Sequence, residues 1–133
     1  MPPRITPDSN ILISALVFDG NPLRLMEMAV NGELEMFTSD AILHETLRIL
    51  RDKFVFPEER LAHAAEYISG CTGRVKPTEV IDVVKDDPDD NRVLECAVAA
   101  GCEAIIIGDL DLLRLGKYRD IQIMTVREFL DRH

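Results

Sequence analysis

The chain has 133 residues, 47% of them hydrophobic and 29% charged, enough for one globular core and unlike a disordered chain. The formal net charge of −9 argues against a passive nucleic-acid binder, which gathers basic patches. It does not exclude a nuclease, because carboxylates gathered to hold divalent cations make a bare chain acidic and the bound metal reverses the local sign.

In chain order, Ile5-Thr6 reads as a short first strand and Ile11 to Phe18 as an apolar, helical continuation. Pro22 to Val30 places Leu23, Met26 and Val30 at helical spacing, with Pro22 suited to a first turn. Leu34 to Thr38 is a second strand. Ser39 then looks like an N-cap, followed by a stripe of Leu43, Leu47, Leu50 and Phe54. Pro57 to Ile68 is a helix whose Glu58 and Glu59 suit its positive end, Gly70 to Pro77 is a break, and Val80 to Val84 is a strand or an extended connection. Asp90 to Ala100 is a helix closed by Gly101. Ala104 to Ile107 is a wholly apolar strand, Leu110 to Leu115 a short helix, Ile121 to Met124 a last strand and Val126 to Leu130 a last helix.

No apolar run approaches the roughly 20 residues of a membrane span. Met1-Pro2-Pro3-Arg4 lacks the apolar core of a secretory signal, so the expectation is a cytoplasmic protein with no membrane partner. The three cysteines, Cys71, Cys96 and Cys102, have neither CxxC spacing nor a nearby histidine pair and read as small buried hydrophobes. Alternating strands and helices imply an α/β fold with a parallel sheet covered on both faces, and in such folds ligands sit at the carboxyl ends of strands.

That rule selects acids. Asp8 directly follows the first strand, and Asp109 follows the Ala104 to Ile107 strand. Asp90 opens the helix before that strand, and Glu45 lies about one and a half turns into the Ser39 helix. Oxygen-only ligands favour magnesium or manganese, since His44, His63 and His133 show no ligand spacing. Two such ions roughly 4 Å apart can activate a water for attack on a phosphodiester without a protein nucleophile. Taken singly, Glu45 and Asp90 fit structural roles better, and Asp8 and Asp109 fit either. Taken together, their placement favours a metal site. Asp111 reads as a fifth ligand or an outer group, and Asp87, Asp89 and Glu95 as surface or capping groups.

The sequence resembles the PIN-domain family, in the branch related to VapC-type toxins of toxin–antitoxin systems. The resemblance is carried by Asp8-Ser9-Asn10 with the apolar run after it, Glu45 within Ser39 to Leu50, Asp86 to Glu95, Ile106 to Leu113, and Met124 to Leu130. It implies a single PIN domain over 1–133, a Rossmann-like three-layer α/β/α fold around a parallel sheet, and cleavage of RNA with magnesium or manganese. The family's four acids fall on Asp8, Glu45, Asp90 (with Asp89 as fallback) and Asp109, with Ser9 and Asn10 in support. The implied partners are an RNA substrate, an antitoxin protein and a second copy of the chain; the Pro57 to Ile68 helix is the candidate dimer face, and its apolar face fits the core equally well. Two departures stand out. Pro7 replaces an aliphatic strand residue and would end that strand early. Ile107 replaces a hydroxyl residue able to bond a neighbouring carboxylate.

Basic residues that could meet RNA are Arg48, Arg51, Lys53, Arg92, Arg114 and Lys117, though each alone is explained as a solvated charge. Five Phe, two Tyr and no Trp offer no stacking platform, so no RNA sequence preference is expected. The competing reading is a non-catalytic module that keeps the acidic pocket and holds a protein or RNA. A phospho-signalling receiver ranks last, because no lysine lies beyond Lys117.

Overall fold

The computed structural model describes residues 1–108 and 110–133, without the side chain of Leu110; Asp109 lies outside the described residues. The elements run β1 (Arg4–Pro7), α1 (Ser9–Val17), α2 (Asn21–Val30), β2 (Glu35–Thr38), α3 (Asp40–Asp52), α4 (Glu58–Cys71) and β3 (Thr72–Arg74). They continue with α5 (Pro88–Ala100), β4 (Ala104–Ile107), α6 (Leu110–Leu113), β5 (Lys117–Tyr118), β6 (Ile121–Thr125) and α7 (Val126–Arg132). Among the described residues, six strands form one sheet in the order β3-β2-β1-β4-β6-β5. All neighbours pair in parallel except β5, which closes an antiparallel hairpin onto β6.

This order determines where a site can form. From β1 the chain steps outward to β2 and β3, then returns past β1 to β4 and continues to β6. Parallel crossovers are right-handed, so the two directions put their helices on opposite faces and generate the three layers. The direction reverses between β1 and β4, and in open sheets of this kind ligands bind at the carboxyl ends of the two strands that flank such a reversal. Ile5, Ile105 and Ile106 are wholly buried in the sheet's core. On the α5 side, the buried Thr6 hydroxyl sits 3.3 Å from Cys102 Sγ and 3.7 Å from Cys96 Sγ. A smaller cluster of Ile13, Leu50, Phe56, Leu61 and Ala64 joins α1, α3 and α4.

Several boundaries differ from the sequence reading. Pro7 does not end β1: it pairs with Ile106, and the strand runs through it. Glu35 N–H donates to Pro3 O and Asp8 N–H to Ile106 O, so odd residues of β1 bond towards β2 and even residues towards β4. The N–H that proline lacks therefore lies on the β2 side, where register pairing stops at Ile5 and Met36. The expected break after Gly70 is instead helix through Cys71 and then β3. Val80 to Val84 is not a strand, and Ile81 within it is buried. In α2 the buried residues are Leu25 and Met26, whereas Val30 is exposed. Phe54 lies past the end of α3 and is exposed. Of the two readings of the apolar face of α4, dimer face or core, the second holds: Leu61, Ala64 and Ile68 are buried in this chain. Among the described residues, no helix is long and apolar enough to cross a membrane.

Candidate active site

Asp8 leaves β1 in extended conformation and caps α1, its Oδ1 accepting from Ile11 N–H at 2.9 Å. Across the switch point, Gly108 N–H donates to the same carboxylate, 3.1 Å from Oδ2 and 3.3 Å from Oδ1. The buried Asp8 side chain is thus fastened to a helix N-terminus and to the end of β4. Gly108 allows this approach. A Cβ there would lie 3.0 Å from Asn10 Cβ, a tight approach that would require Asn10 to give way.

Asn10 is exposed and Ser9 buried. Ser9 Oγ donates to Glu45 Oε1, tying the first turn of α1 to the second turn of α3. That part of α3 is set by Ser39, whose Oγ accepts from Ile42 N–H at 3.4 Å, as its cap reading required. Glu45 also lies within hydrogen-bonding reach of the Asp89 carboxyl of α5. Burial raises the Glu45 carboxyl first, then the Asp89 hydrogen bond and the negative charges of Asp89 and Asp87. The Ser9 bond opposes them, and the result is a carboxyl pushed up to about 7.

The first turn of α5 is capped by Asp87, which accepts from Asp89 N–H at 3.2 Å. Asp90, in the same turn, is buried. Asp8, Glu45 and Asp90 therefore lie on the elements that meet at the carboxyl mouth of the sheet. Glu45 bonds Ser9 and lies against Asp89 there. Among the described residues, no three His, Cys, Asp or Glu side chains by themselves form a group able to hold a metal ion. The fourth expected acid, Asp109, is outside the described residues.

Asp111 is exposed and paired with Arg114 at 3.6 Å. Both line a cleft of about 440 Å³ that also includes Lys85, Asp86 and Asp87. Arg48 approaches Asp89 at 4.0 Å, one turn along α3 from Glu45. Arg51 pairs with Asp52 at 3.3 Å near the far end of that helix, and Lys117 lies on the edge strand β5. Arg92 is committed elsewhere: its guanidinium binds Glu95 at 2.9 Å and Ile81 O at 3.0 Å. Glu95 is correspondingly buried, not a surface group.

The Asp89 contact and the Gly108 donor escape sequence reading. Asp89 and Asp90 are adjacent acids about 100° apart around a helix, and nothing local says which one turns to α3. Gly108 at a strand end was the available signal for a close backbone approach.

The donors gathered here are carboxylates and a hydroxyl, the hard oxygen chemistry of magnesium and manganese. Burial first, and then the neighbouring acids Asp89 and Asp87, push the Glu45 carboxyl up, and the like-charge part of that conflict is one a dication relieves. On these two counts the residues present fit a divalent ion.

No curated protein matches the chain. Among solved structures it is similar to the PIN domain of RRP44 from T. brucei, at 12% identity and a TM-score of 0.49, over 99% of this chain and 81% of the other. Residues 4–111 match the family described as PIN domain. The chain therefore belongs to the PIN domain family, a family of nuclease fold whose members typically use divalent metals.

Proposed function

We propose that the chain is a magnesium- or manganese-dependent ribonuclease, and the toxin component of a toxin–antitoxin pair. Residues 1–133 are taken as one PIN domain, with Asp8, Glu45, Asp90 and Asp109 as the ion-holding acids and Asp111 as an outer member. The observation that carries this reading is the meeting of three helices at one point. Glu45 of α3 touches Ser9 beside Asp8 and Asp89 beside Asp90. A bound divalent ion supplies charge neutralisation at a phosphodiester and activation of water. The chain's own residues do the rest. Gly108 and Ile11 hold the Asp8 carboxylate, and Ser9 orients Glu45. Arg48, at the rim beside Asp89, is the basic candidate best placed to meet an RNA phosphate. The proposed partners are RNA, an antitoxin covering the mouth, and a second copy of the chain through a surface other than the apolar face of α4.

Purified protein with manganese should cleave an unstructured oligoribonucleotide, and Asp8→Asn and Glu45→Gln should each lower the rate at least about a hundredfold. Manganese at about 100 times its Kd should also stabilise the wild type by about 2.7 kcal/mol, an effect absent in Glu45→Gln. Equal cleavage by wild type and both variants would remove the nuclease reading. A second reading, a binding module without turnover, is favoured by Ile107. Its side chain is buried in the core, where the family commonly places a hydroxyl near the acids. Metal stabilisation without any cleavage would select that reading.

A further inference from the structure

A dense group of buried polar contacts outside the acidic mouth lies on the first two turns of α5. Asn91 is 1% exposed. Its Oδ1 accepts from Val83 N–H at 3.0 Å and Val84 N–H at 2.9 Å, and its Nδ2 donates to Val84 O at 2.8 Å. One turn on, Glu95 accepts from Ile81 N–H at 2.9 Å, and Arg92 donates to Ile81 O at 3.0 Å. The 81–84 segment has no strand to satisfy its backbone, so α5 side chains do so instead. That segment runs directly into Asp87, the cap of α5. The first turn of the helix is therefore gripped at both ends, by Asp87 before it and by Asn91 after it. A side chain amide suits the position, because it accepts and donates at once, whereas a carboxylate of the same shape only accepts.

We propose that Asn91 is a positioning residue: by clasping Val83 and Val84 it fixes the rotation of the first turn of α5 that directs Asp89 to Glu45 and holds Asp90 at the mouth. Fully paired buried amides specify one arrangement more than they add stability. Misplacement of a reacting constellation by about 1 Å can cost about a hundredfold in rate. The kinetic part of this inference rests on the nuclease reading, and the structural part does not.

The test compares Asn91→Ala and Asn91→Asp with wild type, using manganese and an unstructured oligoribonucleotide for turnover, and amide hydrogen exchange on the metal-free protein. Asn91→Ala should lower kcat about tenfold or more with KM within about twofold. Exchange should rise at Val83 and Val84 and also at Asp89 and Asp90. Asn91→Asp keeps the two accepted bonds and should fall between, which preserves the test if the alanine variant does not fold. Unchanged kcat, or exchange that rises only at Val83 and Val84, would overturn the proposal. Should Glu45→Gln cleave like wild type, the nuclease reading fails, and exchange at Asp89 and Asp90 alone decides the role of Asn91.

Discussion

Glu45 is the residue at which the acids conflict most. Its ordinary value is 4.5 and burial with Asp89 raises it to about 7 in the folded chain. Between those values the folded state binds more protons than the unfolded state. Stability is then full below about pH 4.5 and is lost as pH rises through about 7. Glu45 is only half-buried, so solvent screening reduces the effect to about 1 kcal/mol. Without metal, Glu45→Gln should match wild type at pH 5 and exceed it by about that amount at pH 8 in chemical denaturation. A variant with the wild-type pH profile would remove Glu45 as the origin of the dependence.

At the scale of elements, one side chain serves both folding and chemistry. Asp8 caps α1, where asparagine performs about as well and alanine costs about 1 kcal/mol. Asp8→Asn should therefore keep the metal-free denaturation midpoint near wild type while losing manganese stabilisation, and Asp8→Ala should lose both. An unstable Asp8→Asn would mean that charge, and not capping, ties α1 to β4. Elements were legible where local chemistry was strong. The four apolar residues of β4 identify it as a central strand, and Gly101 at φ 64° closes α5 as a left-handed C-cap. β3 was not legible, because Thr72-Gly73-Arg74 has no apolar residue. Its register comes from β2, and Phe37 lies where a Cβ on Gly73 would be 3.1 Å away. β5 is two residues long and exists only through β6. In the candidate site, strand ends and helix position single out Asp8 and Glu45, whereas the approach of Asp89 depends on a helix phase set by Asn91, Val83 and Val84, which no local pattern encodes.

For the whole molecule, the switch point gathers the candidate acids at one end of the sheet, while the thiols lie elsewhere. Cys96 and Cys102 flank the Thr6 hydroxyl beneath α5. Burial pushes their thiols up to about 12 and about 11, so few thiolates form at neutral pH. Cys71, only half-buried at the end of α4, is far easier to reach. Burial raises the Cys71 thiol as well, so an alkylating reagent at neutral pH should modify Cys71 slowly but first, through its exposure, and the other two only when the sheet parts from its covering helix. Mass spectrometry of intact protein should give a single adduct under native conditions and three in denaturant. Rapid triple modification of the native chain would contradict this burial. The pair beneath α5 thus forms a built-in clock for global opening, readable without adding any label to the acidic end of the molecule.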